Sequence, residues 1–193
     1  MRAAVLRGQE DLRIEDVPIP TAAPGELVLR VGAALTCGTD LKVYRRGYHA
    51  KMLTLDRLFG HEVAGTVVQV GAGVTRFSVG DRVLPLNSAP CDTCFFCRNN
   101  QQNLCDDLLF NNGAYAEFIR IPSRIVEKNT LHIPNAVAPA FVFDPVPGGT
   151  VLETTRKPAN LGPVPHVSAG LAGDSEALAF ATVRELGELI RAR

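Results

Sequence analysis

The sequence lacks the charge excess that several classes of binding protein require. Its 20 Lys and Arg residues are balanced by 20 Asp and Glu residues, so the formal net charge is zero. Proteins that bind nucleic acid or anionic membranes by electrostatics usually carry a clustered basic surplus. We therefore expect no nucleic-acid partner and no membrane partner.

Long apolar stretches are also missing. The longest apolar run, 136–143, is interrupted by Pro139 and falls far short of the roughly 20 residues that a membrane span needs. The apolar stretch 3–6 near the N-terminus is too short for the core of a signal peptide. These features predict a cytoplasmic protein.

Cysteine is scarce, with five residues, but four of them cluster in a C-x2-C-x2-C-x7-C pattern: Cys91, Cys94, Cys97 and Cys105. An odd count in a reducing compartment argues against a disulfide framework. Four thiolates complete the closed tetrahedral shell of a structural zinc site. An iron–sulfur cluster also takes four thiolates, but its fourth cysteine normally precedes proline, and here Asp106 follows. Two disulfides or free thiols are the remaining alternative.

Strand-like segments dominate the N-terminal part of the chain: 3–6, 12–17, 26–35, 63–70 and 81–86. Short strands separated by Pro and Gly turns indicate a barrel or a sandwich. The stretch 87–112 has no apolar periodicity, which is typical of a long functional loop. Strand character returns at 114–121 and around 124–126.

The fifth cysteine, Cys37, lies at the end of a predicted strand, and His61 and Glu62 follow after a turn. A thiolate, an imidazole and a carboxylate are ligand types found in catalytic zinc sites, which keep one position open for water or substrate. Taken singly, a cysteine is usually a small buried apolar residue and a histidine usually has a structural role. The spacing alone leaves both interpretations open.

Several motifs resemble the zinc-dependent medium-chain alcohol dehydrogenases. They are GHEVAG at 60–65, VGAGV at 70–74, GDRV at 80–83, CGTD at 37–40, PGE at 24–26, GAYAE at 113–117 and the cysteine loop. They occur in the family's order over about residues 1–145. The resemblance implies a mainly β catalytic domain with peripheral helices, a GroES-like β-barrel over 1–145 with a structural zinc lobe at 88–112. We expect an irregular Pro- and Gly-rich segment at 146–173 and a C-terminal helix at 174–193.

The resemblance also implies roles for single residues. A catalytic zinc would be held by Cys37 and His61, and a structural zinc by the cysteine loop. The family's threonine and polyol dehydrogenase branch has an acidic residue before a proline near the catalytic zinc. Asp144 resembles it and is a candidate further ligand, with Glu62 as its competitor. Zinc would polarise an alcohol or carbonyl, and Thr39 would begin a proton relay.

Two features depart from the family pattern. Family members continue into a Rossmann domain whose first turn carries a G-x-G-x-x-G fingerprint, and this sequence has none. NAD(P) is thus implied by the family without a visible binding motif, as if the cofactor domain had been lost. Lys42 stands where this branch commonly has a relay histidine. It is either a proton carrier or a solvated surface charge.

These observations support one main hypothesis and two alternatives. The main hypothesis is a zinc-dependent alcohol or polyol dehydrogenase-like oxidoreductase that acts on a small alcohol, polyol or carbonyl. Its NAD(P) would bind at an atypical site or on a partner chain. One alternative is a non-redox zinc-binding module or assembly protein derived from the same domain. The other is an interaction protein that self-associates through apolar surface, which predicts a homo-oligomer.

Overall fold

The computed structural model describes residues 1–49, 51–52 and 58–135, and they form a mainly β structure. The strands are β1 (Arg2–Gly8), β2 (Asp11–Asp16), β3 (Leu27–Leu35), β4 (Glu62–Val70), β5 (Arg82–Pro85), β6 (Ser88–Ala89), β7 (Leu109–Phe110), β8 (Phe118–Ile121) and β9 (Thr130–His132). The helices are α1 (Gly38–Arg46), α2 (Phe95–Arg98) and α3 (Ser123–Lys128), with a 3-10 turn at Gln102–Leu104. Within these ranges no helix has both the length and the apolarity to cross a bilayer.

The strands form three antiparallel sheets. The largest has five strands in the order β8-β3-β4-β5-β9, and β1 pairs with β2 and β6 with β7. Single bridges join Ala3 to Ala116 and Val5 to Leu58, which attaches the β1–β2 hairpin to the rest of the molecule. The prediction of a mainly β domain with peripheral helices is confirmed. In the part of the chain that the structure describes, the five-stranded sheet is open and does not close into a barrel.

Two apolar clusters stabilise these sheets. The larger one packs β3, β4, β5, β8 and α3 together through buried aliphatic side chains: Leu27, Leu29, Val63, Val67, Val83, Ile119, Ile121, Ile125 and Val126. Each fully buried aliphatic side chain of this kind contributes about 1.5–3 kcal/mol. The smaller cluster surrounds Tyr115 and joins the β1–β2 hairpin to α1 through Leu6, Leu12, Val43 and Phe59.

The strand prediction around 124–126 is wrong, because these residues lie in α3. Ile125 and Val126 favour strands by intrinsic propensity. Here both are buried in the larger cluster, and packing overrides propensity in so short a segment. The chain enters the helix from Pro122, which has extended backbone angles. The predicted segments 146–173 and 174–193 lie outside the described residues, as does Asp144.

Helix α1 was not predicted at all. Its N-cap is Cys37, whose side chain accepts from the Thr39 backbone N–H, while the Asp40 side chain accepts from the Cys37 backbone N–H. This reciprocal arrangement is a capping box in which cysteine replaces the usual Ser or Thr. The helix ends at Gly47, which has a left-handed φ of 76°. Because cysteine is not a usual capping residue, Asp40 at the third helical position was the available signal for the start of this helix.

We expect Gly71→Ala to lower the free energy of unfolding by about 2–3 kcal/mol, because overpacking against backbone forces the chain to shift. A Cβ at Gly71 would lie 1.9 Å from the carbonyl oxygen of Ala23. Chemical denaturation measures the change. Gly8→Ala is the matched control, since a Cβ there meets nothing within 4 Å. Equal losses in the two variants would contradict this account.

Candidate metal centres

The pairing of β3 with β4 brings the first group of candidate ligands together. Leu35 at the end of β3 is paired with Glu62 at the start of β4. Cys37 and His61 therefore meet at the same end of the sheet, and the Cys37 Sγ lies 3.0 Å from the His61 Nε2. One ligand atom from each of Cys37, His61 and Glu62 lies within 4.8 Å of the other two.

Asp40 is a site residue that the sequence analysis missed. It is only 2% exposed, and its Oδ1 lies 3.0 Å from the His61 Nδ1. Because an ionised carboxylate can only accept, this contact places a proton on Nδ1 and turns the other ring nitrogen toward Cys37. The available signal was the acidic residue three positions after Cys37, which is where a capping box places one.

The carboxylates around His61 change the electrostatics of the centre. Burial by itself lowers the pKa of His61, but the hydrogen bond and charge of Asp40, together with Glu62, outweigh it and raise that pKa above its ordinary value. Burial also raises the pKa of Glu62, against the opposing influence of His61. A partly buried centre with two carboxylates and a thiol is suited to a divalent cation.

The donors of this centre fit a zinc ion. Tetrahedral zinc with typical bond lengths separates a sulfur ligand from a nitrogen ligand by about 3.6 Å. The Cys37 and His61 side chains, 3.0 Å apart, would reach that distance with small rotations. The backbone N–H of Thr39 donates to the Cys37 Sγ at 3.2 Å and helps to hold it in place.

The structure places two of the other residues considered for this centre, Thr39 and Lys42, on α1. Thr39 lies in the first turn of α1 and is partly buried beside Cys37. Lys42 is exposed on the same helix, which favours its interpretation as a solvated surface charge. Asp144 lies outside the described residues, so its competition with Glu62 for the zinc stays a prediction.

The four cysteines of the loop form a second group. The β6–β7 pair closes the base of the loop, and Cys94 caps α2. The Sγ atoms of Cys91 and Cys97 are 4.0 Å apart, as are those of Cys94 and Cys105. A tetrahedral zinc with four thiolates requires sulfur separations of about 3.8 Å. The loop therefore fits the structural zinc site that its spacing predicts.

The thiols of this loop differ in acidity. Hydrogen bonds from the Thr93 side chain and backbone, and from the Cys94 backbone, lower the pKa of Cys91 to about 6. A hydrogen bond from the Cys97 backbone lowers the pKa of Cys94 in the same way. Burial raises the pKa of Cys97 to about 12. A bound metal would therefore have to displace a proton from Cys97.

Helix α3 holds both ends of the cysteine loop against the sheets. The Lys128 Nζ donates to the carbonyl of Pro90 at 3.2 Å and pairs with Asp92 before the second cysteine. One turn earlier, Arg124 donates to the backbone and the carboxylate of Asp107 at 2.8 and 2.7 Å. These contacts tie the loop to α3 on either side of its four cysteines.

A family model for the alcohol dehydrogenase GroES-like domain matches residues 23–134, which is more than half of the chain. The chain belongs to this family. An L-threonine 3-dehydrogenase from Pyrococcus abyssi is 33% identical over 144 residues, covering 72% of this chain and 40% of the relative. A sorbitol dehydrogenase from Bombyx mori is 40% identical over 104 residues, covering 53% of this chain and 30% of the relative.

Comparison with solved structures points to the same family. The GroES-like domain described above is similar to alcohol dehydrogenase TADH from Thermus sp. ATN1, with a TM-score of 0.61 and 30% identity. That match covers 72% of this chain and 42% of the other. The predicted family is thus confirmed, while the chain spans about 40% of the length of the threonine dehydrogenase relatives.

We expect Cys94→Ser to remove zinc from the cysteine loop and to leave the Cys37–His61 centre loaded, because serine is a poor ligand in a tetrathiolate shell. Cys37→Ser is the matched variant and should have the opposite effect. Elemental analysis and the absorption spectrum of the cobalt-substituted chain distinguish the two centres. Retention of full zinc content by Cys94→Ser would disprove the loop site.

Proposed function

We propose that this GroES-like domain is the catalytic domain of a zinc-dependent alcohol or polyol dehydrogenase. The observation that carries the proposal is the contact between the Cys37 Sγ and the His61 Nε2, with the opposite ring nitrogen held by the buried Asp40. A histidine oriented by a carboxylate is the usual arrangement at catalytic zinc. The family supports zinc, and the four-cysteine loop supports a second, structural ion.

The residues of the proposed catalytic centre have distinct tasks. Cys37 and His61 would hold the zinc, with Glu62 or Asp144 as a further ligand. When bound, the metal supplies Lewis acidity that polarises an alcohol or carbonyl oxygen. Asp40 keeps the proton of His61 on Nδ1, so that Nε2 is free to act as a ligand. The Thr39 hydroxyl, in the first turn of α1 beside the ligands, would pass the proton of the alcohol toward solvent.

A dehydrogenase also needs a hydride acceptor. The relatives named above are dehydrogenases, and the family implies NAD(P), but the sequence has no dinucleotide fingerprint. The described residues form strands and short helices without a Rossmann unit. We therefore propose that nicotinamide binds at a site formed beyond residue 135 or by another chain.

The substrate class follows from the relatives. Two of them are named for threonine and sorbitol, which are small molecules with polar groups beside a hydroxyl. We propose a small alcohol or polyol, or the matching carbonyl, as the substrate. A cytoplasmic location and a homo-oligomer remain predictions.

The test begins with the zinc-loaded chain titrated with NADH and NADPH, followed by nicotinamide fluorescence. We expect binding with a dissociation constant of about 1–100 μM, near the usual range for enzyme ligands. Oxidation of threonine, sorbitol and simple secondary alcohols is then assayed. Cys37→Ser should abolish turnover, because it removes a ligand of the catalytic zinc.

Cys94→Ser serves as the comparison, since it lies outside the proposed catalytic centre and should act only through stability. An absence of nicotinamide binding and of turnover in the zinc-loaded chain would rule out a cofactor site within this chain. The remaining explanations would then be a cofactor site on another chain or a non-redox zinc-binding module derived from the same domain. Turnover that survives Cys37→Ser would show that the chemistry takes place elsewhere.

A further inference from the structure

Tyr115 is buried and packs against the segment that leads into His61. It is 2% exposed, and its backbone N–H donates to the carbonyl of Phe59 at 2.9 Å. The two rings meet edge to face, with centroids 5.7 Å apart. Gly60 has a left-handed φ of 87°, and a Cβ there would lie 2.7 Å from the Tyr115 ring. The ring therefore packs closely against the backbone that leads into His61.

The hydroxyl of Tyr115 is surrounded by three oxygen atoms. It lies 2.9 Å from the carbonyl of Leu35, 2.8 Å from the Thr36 Oγ1 and 3.0 Å from the Asp40 Oδ2. Burial, with the charge of Asp40, raises the pKa of Tyr115 well above its ordinary value, so the phenol keeps its single proton. Hydrogen bonds to ionised acceptors are about twice as strong as neutral ones, so this proton is donated to Asp40.

The hydrogen bond from Tyr115 helps to fix the orientation of the Asp40 carboxylate. Its Oδ1 faces the Nδ1 of His61, while its Oδ2 accepts from the Cys37 backbone N–H and from Tyr115. Without the phenol, Oδ2 would keep only the backbone donor at the helix N-terminus. The carboxylate plane could then turn and weaken its contact with His61.

We infer that Tyr115 is a positioning residue of the catalytic metal centre: its hydroxyl fixes the orientation of Asp40, which in turn holds the metal-binding nitrogen of His61 in place. This inference rests on the proposed function for the metal at Cys37 and His61. It adds a residue outside the ligands and their direct partners, in the GAYAE segment at 113–117.

The first test is the metal affinity of Tyr115→Phe, which keeps the ring and removes only the hydroxyl. Partners of metal ligands typically change affinity 10–100-fold, so we expect zinc affinity at the Cys37–His61 centre to fall about 10-fold. Affinity at the cysteine loop should not change. Competition titrations with cobalt separate the two centres by their spectra. Tyr44→Phe is the matched control, because Tyr44 packs against the same cluster but its hydroxyl is not among the donors to Asp40.

The second test is the tautomer of His61 while the Cys37–His61 centre is free of metal. It is read from ring nitrogen chemical shifts in the chain loaded with one equivalent of zinc, which the four thiolates of the loop should take first. The His61 signal is identified by comparison with His61→Gln. We expect a single Nδ1–H form in the unsubstituted chain and a mixture of tautomers in Tyr115→Phe. In an Asp40→Asn background, Tyr115→Phe should cause no further loss of zinc affinity, since its effect acts through the carboxylate.

The outcomes separate this inference from the proposed function. Unchanged affinity and an unchanged tautomer in Tyr115→Phe would overturn it. Equal losses at both metal centres would also overturn it, because they would indicate a general structural role. If the unsubstituted chain bound no metal at Cys37 and His61, the proposed function would fail, and the tautomer of His61 would still decide the role of Tyr115.

Discussion

A carboxylate in the interior of a protein is tolerated only when other groups replace the hydrogen bonds that water would have made. Asp40 meets this condition through the backbone of Cys37, the ring of His61 and the phenol of Tyr115. The three donors come from the end of β3, the start of β4 and the segment before β8. The buried charge therefore links the cap of α1, the register of β3 with β4 and the packing of Tyr115 in one arrangement.

Much of the fold and the clustering of the candidate ligands could be predicted from the sequence, because both depend on residue types at fixed spacings. Segments rich in strand-favouring residues, separated by Pro and Gly turns, predicted β3 and β4, and the cysteine spacing predicted a loop whose sulfur atoms converge. Asp40 was missed because its importance comes from burial, which no local pattern reveals. Helix α3 was assigned as strand because Ile125 favours strands by propensity, whereas its packing against the sheet is decided by distant residues.

The two candidate metal centres depend on the fold in different ways. The loop supplies all four of its ligands from one short stretch, which is closed at its base by the β6–β7 pair and tied to α3. The centre at Cys37 and His61 exists only when β3 and β4 are paired in register. A displacement of that pairing by one residue would turn every side chain of the strand to the opposite face. Metal binding at Cys37 and His61 would therefore report that β3 and β4 are paired correctly.

The close approach of Gly60 to the Tyr115 ring has a consequence for how this domain can diverge. Any side chain at position 60 would need a smaller residue at position 115, and a smaller residue there would leave Asp40 without its phenol. A side chain at position 60 is thus tolerated only together with a smaller residue at position 115, and that joint change loses the hydrogen bond to Asp40. Position 60 is therefore restricted to glycine for as long as position 115 supplies the phenol.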